Sequence, residues 1–163
     1  KGPEGARAIN AVGLEAGPAL RALLNQGMGA LGDLTAQLKN YGGDGAYLAA
    51  YLTDAKGAYV RTLWVAGGKA KYYKHLGDWA RGSGMNPSEF DGVSGASVGS
   101  GRTLKVSVEL ADTLIDAGYQ IRIDSAVEDK RDVRADVSVP LTSKGAGKPA
   151  AGSTYVESFT YDL

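Results

Sequence analysis

The chain has 163 residues, 18 Lys plus Arg against 18 Asp plus Glu, 24 glycines and no cysteine. That length suits one domain with an appendage and can bury a substantial core. Zero net charge without a basic stripe argues against a nucleic-acid partner. The missing cysteines exclude disulfides, thiolate metal sites and thiol nucleophiles, and no apolar run of about 18 residues is present to span a membrane as a helix.

Residues 1–32 are rich in Ala, Gly and Leu and read as an N-terminal extension or tether. Pro18 to Met28 places Leu20, Leu23 and Leu24 at helical spacing, so a short helix is expected there. The first residue is Lys1 rather than Met, which reads as a processed or trimmed piece. From Asp33 the period changes to two. Leu34, Ala36 and Leu38 alternate with Thr35, Gln37 and Lys39, as in a half-buried strand.

Asn40 to Gly45 is turn material, and Tyr47 to Thr53 is a continuously apolar strand. Asp54-Ala55-Lys56-Gly57 forms a tight hairpin connection. Tyr59 to Val65 returns, with Val60, Thr62 and Trp64 expected on one face and Tyr59, Arg61, Leu63 and Val65 on the other. Gly67-Gly68 breaks that strand. Lys71 to Arg81 carries Tyr72, Leu76, Trp79 and Ala80 at spacings of three and four, which predicts one amphipathic helical stretch.

After a glycine-serine loop the alternation resumes through Leu104, Val106, Val108 and Leu110. Tyr119, Ile121 and Ile123 follow, and then Val133, Ala135, Val137 and Val139 up to Pro140. Lys144 to Gly152 is a polar loop, and Tyr155 to Tyr161 is the last strand. Seven such strands separated by turns predict an all-β domain over 33–163. The expected architecture is a β-sandwich with immunoglobulin-like layering and a helical insertion before the glycine-serine loop.

That loop is the most informative stretch. Asp91-Gly92-Val93-Ser94-Gly95-Ala96-Ser97-Val98-Gly99-Ser100 holds three glycines, three serines and one carboxylate. Such a segment leaves backbone N–H groups bare for an anion and a hydroxyl free for chemistry. It lacks the lysine and spacing of a nucleotide P-loop. A hydrolase elbow would need a base histidine nearby, and His75 is the only histidine. A lone histidine does not build a metal site of the usual kind. Trp64 and Trp79 read as core residues before cofactor contacts. The run Glu128-Asp129-Lys130-Arg131-Asp132 reads as a solvated turn.

The ordered residues Asp91, Ser94, Gly95, Ala96 and Ser97 resemble the signal of bacterial proteins that carry FMN in phosphoester linkage. That signal reads Asp, two variable residues, Ser or Thr, Gly-Ala, then the acceptor Thr or Ser. The same element occurs in the C subunit of the sodium-pumping NADH:quinone reductase and the G subunit of the Rnf complex, which have a different fold. The stretch from Asp33 to Leu141 also resembles small bacterial periplasmic proteins known only as a domain of unknown function. The resemblance rests on the hairpin from Tyr47 to Gly57, the strand Val60-Arg61-Thr62-Leu63-Trp64, the aromatic segment Tyr72 to Trp79 and the strand around Tyr119 to Ile123. Residues 1–32 lie outside it.

The resemblance implies a periplasmic or otherwise extracytoplasmic electron carrier with FMN on Ser97. An ApbE-type flavin transferase using FAD and Mg²⁺ would attach it, and a membrane redox partner would exchange electrons with it. Ser97 stands where the commonest form has Thr, and its primary hydroxyl is equally capable of the attachment. Asp91 would orient the loop or meet the transferase's metal, and Ser94 would shape the turn. Gly95 and Ala96 remove bulk beside the acceptor. The N–H groups around Ser100 would hold the phosphate and Arg102 would neutralise it. Tyr72, Tyr73, His75 and Trp79 are the nearest candidates to meet the flat isoalloxazine ring. No catalytic residue of the chain's own is expected, so it reads as a relay rather than an enzyme. The alternative is a non-redox immunoglobulin-like binding or assembly module that uses the loop as an interaction surface.

Overall fold

A computed structural model describes residues 30–163. The helix expected between Pro18 and Met28 lies outside the described residues. Among the described residues nine strands form two sheets: β1 (Ala30–Leu38), β2 (Tyr47–Thr53), β3 (Tyr59–Ala66), β4 (Ser94–Gly95), β5 (Thr103–Leu110), β6 (Gln120–Ala126), β7 (Asp132–Pro140), β8 (Ala150–Ala151) and β9 (Val156–Asp162). One sheet runs β5-β1-β9-β8 and the other β4-β3-β2-β6-β7. The all-β sandwich is therefore present, with two very short strands beyond the expected seven. Strand β1 begins at Ala30, before the visible alternation, because Gly32 pairs with Val108 while offering no side chain to the pattern.

Between the sheets, Leu34, Leu38, Leu48, Leu52, Val108, Ile121, Ile123, Phe159 and their neighbours form one core. The five-stranded sheet is buried on its outer face as well. Ala49 and Tyr51 of β2 and Val65 of β3 pack there against Tyr73, Leu76 and Trp79. This second layer explains why 47–53 reads as apolar without interruption. Burial of both faces removes the polar half of the alternation.

The cover is a helical insertion between β3 and β4. It is not one helix. A 3-10 segment, Ala70–His75, is followed by α1 (Gly77–Ser83), and between them Leu76 takes φ −89°, ψ 75°. The break points Tyr73, Leu76 and Trp79 down onto the sheet together. Trp79 is fully buried among Tyr73 and Phe90 at centroid distances of 5.7 and 6.0 Å. Its indole Nε1 donates to Thr62 Oγ1 at 2.9 Å.

Strand β3 departs from the expected alternation. Ala50 pairs with Trp64 but Tyr51 pairs with Thr62, so Leu63 is the extra residue of a β-bulge. Leu63 and Trp64 both enter the inter-sheet core, whereas Thr62 turns to the outer layer to meet Trp79. The bulge thus separates Thr62 from Trp64, which period two places on one face.

Two buried carboxylates fix the layers. Asp124 Oδ1 accepts from the Tyr51 hydroxyl (2.9 Å) and Ala135 N (2.8 Å), and Oδ2 accepts from Trp79 N at 2.8 Å. It caps the first turn of α1 from a neighbouring strand. Burial, then the adjacent Asp124, drives the Tyr51 hydroxyl pKa well above its ordinary value. Asp136 holds the 153–156 segment, receiving four backbone N–H groups and the hydroxyls of Ser125 and Ser153. Buried carboxylates persist where hydrogen bonds offset their lost hydration.

Candidate functional site

The loop is anchored at both ends and bare in its middle. On one side it runs parallel to β3, with Val65 pairing Ser94 and Ala66 pairing Gly95. Val65 N donates to Val93 O (2.9 Å) and Gly67 N to Gly95 O (2.8 Å). On the other side Val98 forms an antiparallel bridge with Ala46 through bonds of 2.6 and 3.0 Å. Val93 and Val98 are buried and act as apolar plugs. Ala96 and Ser97 lie between the two pairings, both exposed. Among the described residues nothing accepts from their N–H groups, and the Ser97 hydroxyl has no hydrogen-bond partner.

Small residues are required on this path. A Cβ on Gly95 would stand 3.0 Å from Cζ2 of Trp64, so the loop lies directly on that buried ring. The Trp64 Nε1 beneath it is buried with no hydrogen-bond partner. A Cβ on Gly45 would stand 2.6 Å from Ser97 Oγ. Gly45 therefore keeps open the space into which the serine hydroxyl points.

The other residues singled out from the sequence separate into groups. Ser94 is exposed, with its backbone in the β3 pairing and no side-chain bond that would shape a turn among the described residues. Asp91 is exposed, with its backbone N–H on Pro87 O at 2.9 Å. The Ser100 hydroxyl is engaged: it donates to Asn40 Oδ1 (3.1 Å) and accepts from Gly42 N (3.0 Å), stapling two loops together. Exposed Arg102 runs its side chain along Gly99. Trp79 is sealed in the outer core and reaches neither loop nor solvent.

Tyr72 and His75 do meet the neighbourhood of the loop. With Asp44, Gly45, Tyr47, Lys69 and residues 126–130 and 132 they line a cleft of about 450 Å³. The β6–β7 turn, the solvated charge run of the sequence, forms its opposite wall. His75 Nδ1 lies 3.0 Å from Asp132 Oδ2, which ties the two walls. Tyr47 is held rigidly. Its hydroxyl accepts from Lys69 N at 2.9 Å, and its ring lies where a Cβ of Gly67 would fall. Tyr72 stands edge-on to it at 6.0 Å and is 39% exposed.

Gly45, Tyr47, Lys69 and Lys130 were not marked as site residues by the sequence. The cleft joins three segments distant in the chain, and only the sheet register brings them together. The doubled glycine of Gly67-Gly68, which reads only as a strand terminator, is the one local signal that the backbone must pass close to another group there.

No curated protein and no solved structure matches the chain significantly. A family model described as a predicted periplasmic protein (DUF2271) matches residues 33–158. That span runs from within β1 into β9 and takes in β2 to β8, the helical insertion, the loop and the cleft, and the chain belongs to this periplasmic family.

Proposed function

We propose that the protein is an extracytoplasmic one-centre electron carrier with FMN joined through a phosphoester to Ser97. The observation that carries this reading is the state of the Ser97 hydroxyl. It is exposed, unbonded and held on a two-residue span between fixed pairings. The space left by Gly45 beside it suits a substituent on Oγ.

The attachment needs little from the chain itself. The Ser97 oxygen attacks the FMN-side phosphorus of FAD, the pyrophosphate bond breaks and AMP leaves. The hydroxyl proton passes to a base of the ApbE-type transferase, whose Mg²⁺ neutralises the charge. The chain contributes an accessible, unobstructed hydroxyl. Asp91 lies six residues earlier, and its exposure supports a contact with the transferase. Once attached, the flavin supplies the redox chemistry and the protein holds and tunes it. The N–H groups of Ala96 and Ser97 have no acceptor among the described residues and suit a phosphate, whereas those of Gly101 and Arg102, beside Ser100, already donate to Lys39 O and Gly99 O. Electrons enter from a membrane or soluble donor and leave to another carrier, so the chain catalyses no reaction of its own.

The test is coexpression with a flavin transferase in an extracytoplasmic compartment. The expected product is yellow after denaturation and heavier by one FMN less one water, about 438 Da. An unmodified mass under those conditions overturns the reading and leaves a binding or assembly module.

A further inference from the structure

The attachment point and the cleft are adjacent. We infer that the cleft bounded by Gly45, Tyr47, Lys69, Tyr72, His75 and Lys130 receives a planar heteroaromatic ring tethered at Ser97, with Gly45 as its doorway and Tyr72 as its packing face. The inference rests on the reading of Ser97 above and gives the ring a place that the attachment motif alone does not.

Position is the first support. Gly45 lines the cleft, and its missing Cβ faces Ser97 Oγ. A chain leaving that oxygen starts against the bare Cα of Gly45, which itself lines the cleft. Size is the second. About 450 Å³ lies within the range of roughly 300–1,000 Å³ usual for small-molecule sites.

Chemistry selects the occupant. Tyr47 and Tyr72 give the cleft an aromatic corner; Tyr47 is pinned, and Tyr72 beside it is partly exposed, with Lys71 Nζ over its ring at 5.2 Å from the centroid. An exposed tyrosine next to a rigid one offers apolar area at little ordering cost. Four carboxylates, Asp44, Glu128, Asp129 and Asp132, share the lining with Lys69 and Lys130. A free phosphate-bearing ligand would be repelled there. A ring whose phosphate stays outside, on Ser97, escapes that repulsion, and its polar edge still finds the lysines. Charge therefore favours a tethered ring over a free nucleotide.

The test uses the coexpressed, flavinylated protein, with intact mass and flavin fluorescence measured on the same sample. Contact with tyrosine quenches flavin emission. The folded protein should be dimmer than after denaturation, and Tyr72→Leu should brighten the folded form at least about twofold, as expected for losing one aromatic contact. Tyr72→Leu should keep the mass increment, because Tyr72 is not among the groups that a Cβ on Gly45 or Gly95 would meet beside Ser97. Full brightness in the folded wild type, unchanged by Tyr72→Leu while the increment is present, overturns the cleft assignment alone. A missing increment in the wild type overturns the attachment and the cleft with it, and the mass reports this independently of emission.

Discussion

Two segments of this protein have nearly the same composition and opposite fates. Gly152-Ser153-Thr154 and Gly95-Ala96-Ser97 are both small, polar and poor in bulk. In the first, both Ser153 and Thr154 are bound to Asp136 through their backbone N–H groups, at 2.7 and 2.9 Å, and the Ser153 hydroxyl approaches the same carboxylate. In the second, no buried carboxylate lies beneath, and Ser97 keeps its hydroxyl and N–H free among the described residues. Composition does not distinguish a structural turn from a presented group. What distinguishes them is whether a buried partner consumes the polar atoms.

The largest effect should come from destroying the consuming partner. Asp136→Ala strands four backbone N–H groups and two hydroxyls, and should cost about 4–5 kcal/mol in denaturant unfolding. A cost below about 1 kcal/mol would mean that water replaces the carboxylate and that the contrast between the segments is overdrawn. Next comes the path of the presented loop. Gly95→Val places a branched side chain on the Trp64 ring and should cost about 1–3 kcal/mol by overpacking, with Trp64 fluorescence altered. The same substitution should lower the yield of modified protein, since the Ser97 span is displaced with the ring.

Ser97→Ala should then change stability by less than about 0.5 kcal/mol, because the hydroxyl holds nothing in place. Ser100→Ala provides the contrast inside the loop. Its hydroxyl bridges Asn40 and Gly42, so thermal unfolding should move down by about 1 kcal/mol while the attachment survives.

The smallest effect concerns a third serine. Ser143 Oγ and N hold exposed Asp116 at 2.6 and 3.0 Å, and the side-chain bond, followed by the backbone one, lowers that carboxyl's pKa. The native state therefore favours the carboxylate. This contribution is present above the ordinary carboxylate range and is lost as pH falls through the lowered value. In Ser143→Ala, a carboxyl-detected NMR titration should show Asp116 moving back toward 3.8.

Much of the fold was legible because period two survives in β1, β5 and β6, where one face is polar or faces the second layer. The helical insertion was legible as an amphipathic stretch through Leu76, Trp79 and Ala80, but the aromatic it buries first is Tyr73 and not the expected Tyr72, which is exposed. The division of the insertion at Leu76 was not legible, because a 3-10 turn and an α-turn share nearly the same apolar spacing. The bulge at Leu63 was hidden for a similar reason: in Thr62-Leu63-Trp64 every residue is tolerated on either face, and only the pairing with β2 decides. At the site, the exposure of Ser97 could be inferred from the absence of bulk around it. The cleft could not, since 44–47, 69–75 and 126–132 are brought together by sheet register alone. Asp124 and Asp136 left one faint trace, a carboxylate inside otherwise apolar strands.

The most direct measurement is peptide mapping of protein coexpressed with a flavin transferase. Trypsin releases 82–102, which carries Ser94, Ser97 and Ser100 together. The account predicts that fragment ions place the FMN on Ser97, and that Ser97→Ala leaves this peptide unmodified. An unmodified wild-type peptide, or a flavin found on Ser94 or Ser100, would contradict it.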